Sequence, residues 1–254
     1  MGNRGRSSRP ITKPSRVWQF VALGSVAVVT LVFVAFALQP AHPPAVEAHP
    51  SQSRASETPI PEARPSQSPS ETPLLEPTRV AVVGDSNTEV DSPAFNAGQI
   101  SPNSWVTQLL NGGFEFAGGW AVGGSTSTAQ AEGLAPVADV DVLLIMTGTN
   151  DLAFGLPFEE TAAAIDAMVA KAPAGRVVLL AIPPRDIETG PTSAEFNAAL
   201  QTLAAQRGWD YFDGLESVRA PEGGFAEGTT IDGLHLSPEA EAAAGQAVLA
   251  YLNG

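Results

Sequence analysis

The sequence predicts an α/β protein: a three-layer α/β/α sandwich around a roughly five-stranded parallel sheet. Three observations predict it. Short β-branched runs that are apolar from end to end recur along the chain, and a strand apolar on both sides belongs in a sheet covered on both faces. Segments of helical spacing separate those runs, the alternation that builds a parallel sheet. Glycine-rich polar clusters follow the runs, and ligands gather where the carboxyl ends of such strands meet.

The elements follow in order. Arg79-Val80-Ala81-Val82-Val83 is the first strand and stops at Gly84. Asp141 to Met146 and Arg176 to Ile182 are further runs of buried-strand type, and Phe114 to Val122 and Trp209 to Phe212 are weaker strand candidates. Helical patterns cover Ser104 to Leu110 and Phe158 to Ala172. Thr192 to Gln206 opens with Thr192 and Glu195 at the spacing of a capping box. Ser237-Pro238-Glu239 opens the last helix with an N-cap, a proline in the first turn and an acid near the positive end of the dipole. No fixed period repeats, which argues against a solenoid or propeller.

Ahead of this domain (79–254) the chain has a different texture. Residues 1–16 carry Arg4, Arg6, Arg9, Lys13 and Arg16 and no acid. Within 17–38, Phe20 to Leu38 is free of charge, and as a helix it would extend about 28 Å, close to the hydrocarbon thickness of a bilayer. The basic cluster before it keeps the N-terminus cytoplasmic and sends the rest of the chain outside. The length of the run favours a transmembrane signal-anchor, and Ala35-Phe36-Ala37 offers the small-residue spacing of a cleaved signal peptide. Both readings export the domain, either to the outer face of the cell membrane or as a secreted protein. Residues 39–78 contain ten prolines among polar residues and alanine, a composition that blocks helix and sheet ladders and cannot pack. Fully extended, this linker could reach roughly 120 Å.

Composition narrows the function classes. Formal charge is −14, and from Arg79 onward 6 basic residues face 22 acidic ones. Such a body repels phosphate backbones, so nucleic acid is not an expected partner. Cysteine is absent, which removes disulfides, thiol nucleophiles and Cys-ligated zinc together. Asp85, Asp91 and Asp151 are too sparsely spaced for a hard-cation site, so a metal is not expected.

Four polar clusters carry the chemistry: Gly84-Asp85-Ser86-Asn87-Thr88 after the first strand, Gly123-Gly124-Ser125-Thr126, Gly148-Thr149-Asn150-Asp151, and Asp232-Gly233-Leu234-His235 just before the last helix. Taken singly, each is a turn signal. Their joint placement at strand ends lets all four converge. A serine hydroxyl needs a base within hydrogen-bond reach to attack an ester. His42 and His49 lie in the linker, so His235 is the one histidine the domain offers to Ser86. Asp232, three residues earlier, can hold the other ring nitrogen. The backbone N–H groups of Ser86 and Gly124 and the side-chain amide of Asn150 can supply an oxyanion hole. Trp105 and Trp120 fit core or pocket-wall positions.

This set resembles the SGNH hydrolase superfamily, the GDSL-like esterases and lipases, over essentially all of residues 79–254. Gly84-Asp85-Ser86 is similar to its first block, Gly124-Ser125-Thr126 to the second, Gly148-Thr149-Asn150-Asp151 to the third and Asp232-Gly233-Leu234-His235 to the fifth. The resemblance implies a flavodoxin-like sheet, no metal and no cofactor. It implies Ser86 as nucleophile, Asp232 and His235 as its acid and base, and Ser86, Gly124 and Asn150 as oxyanion donors. The second block departs from the pattern: Trp120-Ala121-Val122 stands where an asparagine often precedes the glycine, so Gly123 competes with Gly124 for the donor role.

The function expected is that of an extracytoplasmic serine esterase acting on a small-molecule or glycan acyl ester, with short O-acyl groups of cell-wall glycans as the leading substrate. The polar, acidic loop from Thr88 to Gln99 favours a small or polar substrate over a lipid. The rivals are an O-acyltransferase fed by a separate membrane partner, a non-catalytic glycan-binding module, and a phosphate receptor using the Gly84–Thr88 loop at a helix start. Domain acidity disfavours the last, and the intact serine, histidine and carboxylate set disfavours the binding module.

Overall fold

A computed structural model describes residues 76–186 and 192–254. The basic N-terminus (1–16), the apolar segment (17–38) and residues 39–75 of the linker lie outside the described residues. Among the described residues no helix is long and apolar enough to cross a membrane.

Five parallel strands form one sheet: β1 (Arg79–Gly84), β2 (Glu115–Ala121), β3 (Val140–Met146), β4 (Ala174–Leu180) and β5 (Asp210–Phe212), in the order β2-β1-β3-β4-β5. This is the flavodoxin-like order, in which the chain reverses its direction of travel between β1 and β3 and opens a crevice beyond their carboxyl ends.

The sheet is covered on both faces, which accounts for the apolar runs. Successive side chains alternate across a strand. Ala81, Val83, Leu143, Ile145 and Leu179 therefore enter one core, with Ile165 and Met168 of α5 (Phe158–Lys171) and Phe196 and Leu200 of α6 (Ser193–Arg207). Val80, Val82, Val142, Leu144, Val178 and Leu180 enter the other, with Trp105, Val106 and Leu109 at α2 (Val106–Asn111) and Ala240, Ala244 and Val248 of α7 (Pro238–Asn253). The capping box at Thr192 and Glu195 forms with both of its hydrogen bonds, and Ser237 caps α7 ahead of Pro238.

Two departures have physical reasons. β2 is an edge strand and only partly buried, so its sequence lacks the continuous apolar signal of β1 and β3. The pairing of β4 ends at Leu180, two residues before the end of its apolar run. Ile182 stays buried, but its N–H and C=O are both taken by the Asn197 side chain, at 2.9 and 3.0 Å. Three short helices complete the description: α1 (Ser86–Glu89), α3 (Ser127–Gly133) and α4 (Thr149–Phe154). They open the chain segments that leave the carboxyl ends of β1, β2 and β3.

Candidate active site

β1 runs between β2 and β3, so the segment leaving β1 is flanked by those leaving its two neighbours. Ser86 is the first residue of α1, directly beyond β1, with Asp85 as N-cap accepting the Asn87 N–H at 3.0 Å. The turn is tight. A Cβ on Gly84 would stand 2.1 Å from Thr88 Oγ1, so the helix can fold back over the strand end only with glycine there. As the first helical residue, Ser86 has no intrahelical acceptor for its N–H.

His235 arrives from the loop before α7 and meets Ser86: its Nε2 lies 2.9 Å from Ser86 Oγ. Its Nδ1 lies 2.6 Å from Asp232 Oδ2. An ionised carboxylate only accepts, so Nδ1 carries the proton and Nε2 is left to accept the serine proton. Asp232 Oδ1 also accepts the N–H groups of Leu234 and His235, at 2.9 and 2.8 Å. Burial pulls the Asp232 carboxyl upward, but the hydrogen bonds from the His235 ring and the two backbone N–H groups outweigh it and hold the carboxyl below its usual range. The loop is braced by Thr230 Oγ1, which donates to the His235 carbonyl at 2.7 Å and accepts the Gly233 N–H at 2.9 Å. Leu236 N–H reaches Asn87 Oδ1 at 3.3 Å, tying the His235 loop to the helix that carries Ser86.

The remaining expected residues stand on either side of this pair. Gly124, in the loop after β2, has a φ of +74° and an exposed backbone, and a Cβ there would meet nothing within 4 Å. Gly123 differs, because its N–H donates to Glu89 Oε2 at 2.6 Å. Of the two competing glycines, Gly124 is therefore the one whose N–H is not taken by Glu89. Asn150, in the first turn of α4, donates its side-chain amide to Ser125 O at 2.9 Å, joining the loops after β2 and β3. That amide carries a second hydrogen.

Ser86, His235, Asn87, Val90, Ile231 and Leu236 are among the residues lining a groove of about 200 Å³, below the usual 300–1,000 Å³ of pockets for drug-sized ligands. In the loop after α1, Phe95 is buried and packs edge-on against Phe116. Trp105 is fully buried, and its Nε1 lies 3.3 Å from Thr88 Oγ1. Trp120 packs on the core from the edge strand.

Three acids are buried around this region, and of them only Glu241 stood outside the polar clusters of the sequence. Burial pushes the Asp85 carboxyl up to about 6, against the opposing pull of the Asn87 N–H. Glu241 of α7 accepts the Trp105 N–H at 3.1 Å, and its burial raises it well above the usual range. Asp151, fully buried, accepts from Ser127 N at 2.9 Å, from Ser127 Oγ, and from Thr161 Oγ1 at 2.9 Å. Among the described residues no group of three or more His, Asp or Glu could hold a metal ion.

Comparison with known proteins was made on both sequence and fold. No curated protein matches the chain in sequence. In fold it is similar to a carbohydrate acetylesterase from Sinorhizobium meliloti, with a TM-score of 0.52 and 20% identity over 69% of this chain and 98% of that one. It is also similar to a "putative arylesterase" from Agrobacterium tumefaciens, with the same score and identity over 69% and 98%. Residues 82–243 match the family model described as the GDSL-like lipase/acylhydrolase family.

Proposed function

Since the chain belongs to the GDSL-like lipase/acylhydrolase family, we propose that it is an extracytoplasmic serine esterase hydrolysing short-chain acyl esters, with Ser86, His235 and Asp232 as its triad. The observation that carries this reading is the relay from Ser86 Oγ to His235 Nε2 at 2.9 Å and from Nδ1 to Asp232 at 2.6 Å.

Ser86 Oγ attacks the ester carbonyl as His235 Nε2 takes its proton, and Asp232 stabilises the imidazolium that forms. Negative charge then grows on the carbonyl oxygen. The N–H groups of Ser86 and Gly124 and the second amide hydrogen of Asn150 receive it, each such donor being worth about 10²–10³ in turnover. His235 returns the proton to the leaving alcohol. Water, activated by the same nitrogen, releases the acid and regenerates the serine.

The small groove supports a short acyl group and argues against a long alkyl chain. The acidic domain supports a neutral or polar substrate. The basic and apolar N-terminal segments and the long proline linker support a protein held at, or released from, the outer face of a membrane. Together these favour O-acetyl groups of cell-wall glycans.

The test is hydrolysis of nitrophenyl acetate, butyrate and octanoate by the purified protein, beside acetylated and de-acetylated wall glycan. The expected order is acetate, then butyrate, then octanoate, with acetate released from the glycan. A preference for octanoate would contradict the short-acyl reading, and an inert folded protein would contradict the esterase reading itself.

A further inference from the structure

We propose that Glu89 is a positioning residue: its carboxylate straps the Gly123–Gly124 loop to the helix that carries Ser86 and so sets the nucleophile against the Gly124 N–H. The inference rests on the esterase reading for the roles of Ser86 and Gly124.

Glu89 ends α1, three residues after Ser86, and residues three apart lie on one side of a helix. Its Oε2 accepts the Gly123 N–H at 2.6 Å, the length of a charge-assisted bond. The two strands feeding this contact are neighbours, and the loop passes close over the nucleophile: a Cβ on Gly123 would lie 3.7 Å from Ser86 Cβ and 3.1 Å from Glu89 Oε2.

Glu89 is itself aimed by its own backbone. Its N–H donates to Asp85 O at 2.9 Å, and its carbonyl accepts from both the N–H and the hydroxyl of Ser92. Immediately beyond, Val90 and Asp91 have φ of 42° and 53°. Left-handed backbone is unfavourable at a non-glycine residue, more so at a β-branched one, and persists only where the surroundings fix it. Val90 N–H on Ser86 O at 3.1 Å and Ser101 N–H on Ser92 Oγ at 2.9 Å do the fixing.

The glycine loop is pinned at both ends. On the far side, Ser125 donates its N–H and hydroxyl to Val122 O, at 3.2 and 2.6 Å. The Ser125 carbonyl accepts from the amides of Asn150 and Gln130 at 2.9 and 3.2 Å. Gly124 stands between the two anchors and no atom packs where a side chain would be. The direction of its N–H is therefore set by Asn150 on one side and Glu89 on the other.

The function of such a strap is felt in the transition state, because Gly124 is needed only once the oxyanion has formed. Glu89→Ala is expected to lower kcat on nitrophenyl acetate by about 10- to 10²-fold with KM within about twofold, since small misplacements of a reacting group act on this scale. Glu89→Gln keeps an oxygen acceptor for Gly123 and is expected to restore most of the lost kcat. A merely structural role would instead lower melting temperature and raise KM, in both variants alike.

A second arm does not depend on turnover. In an amide proton spectrum of the full chain, the Gly123 N–H is expected at low field and slow to exchange. Both properties should vanish in Glu89→Ala and survive in Glu89→Gln. A Gly123 amide unchanged by Glu89→Ala, or a Glu89→Ala enzyme with the parent's kcat, would overturn the strap. A parent inert on esters would sink the esterase reading, while the Gly123 amide would still decide whether the strap exists.

Discussion

The two halves of the site are held in opposite ways. Around Ser86 the fold does the work: Asp85, Asn87 and Thr88 are at most 1% exposed, and Thr88 is gripped by Ser104 Oγ at 2.8 Å and by the Trp105 indole. Around His235 a short surface loop does it. The Asp232 and His235 side chains are 47% and 32% exposed, Ile231 is 67% exposed, and the bracing comes largely from Thr230 and Asp232 within the loop itself. The difference teaches where activity and stability are coupled. Changes beneath Ser86 should disturb both, whereas changes in the base loop should disturb activity alone.

The sharpest separation should come from the triad. Ser86→Ala and His235→Ala are each expected to lower kcat by roughly 10³–10⁶. Asp232→Asn follows, lowering kcat by about 10²–10⁴ through loss of the correct tautomer. Because Asp232 is a surface group, its melting temperature should stay near that of the parent. A large thermal shift in Asp232→Asn, read by calorimetry, would break the comparison.

On the nucleophile side the same logic predicts stability effects. Asp151→Ala orphans the Ser127 N–H and hydroxyl and the Thr161 hydroxyl, and about 3 kcal/mol of unfolding free energy is expected to go with them. Denaturant unfolding of the variant checks this. Activity should fall too, because α3 and α4 are the helices that Asp151 joins beside the Gly124 loop and Asn150.

The most gradual predicted effect is a slope in pH. Asp85 sits at about 6 when folded, against about 4 for an ordinary aspartate. Between those values the folded protein holds a proton that the unfolded chain has released. Stability from this group is therefore full below pH 4 and declines as pH rises to 6, by about 3 kcal/mol in all. Asp85→Asn should flatten that part of the parent's stability curve, as read by denaturant unfolding at pH 4.5 and 6.5. Asp232→Asn should leave the same window nearly unchanged.

The parts of this account that sequence made legible are those whose cause is local. β1 and β3 announced themselves because both their faces are buried, and α6 and α7 because Thr192, Glu195, Ser237 and Pro238 write the caps into the chain. The four polar clusters were legible because each follows a strand or precedes a helix in an order that only convergence explains. What stayed hidden depends on partners distant in sequence. Glu89 meets Gly123 across 34 residues, and Glu241 meets Trp105 across 136. No spacing rule links such pairs. The helices α1, α3 and α4 were hidden for another reason: four to seven residues span few turns, and unlike the six-residue α2, with Val106, Leu109 and Leu110 on one face, they show no apolar period. That the Gly123 N–H is taken by Glu89 was likewise hidden, since it rests on that same distant contact.

The central claim is that Ser86 is a nucleophile activated by His235, and one labelling experiment tests it most directly. The purified chain would be treated with a fluorophosphonate, and the modified peptide located by mass spectrometry. The account predicts a single adduct on Ser86, formed quickly by the parent, far more slowly by His235→Ala and not at all by Ser86→Ala. An adduct on another residue, or ester hydrolysis that persists in Ser86→Ala, would contradict it.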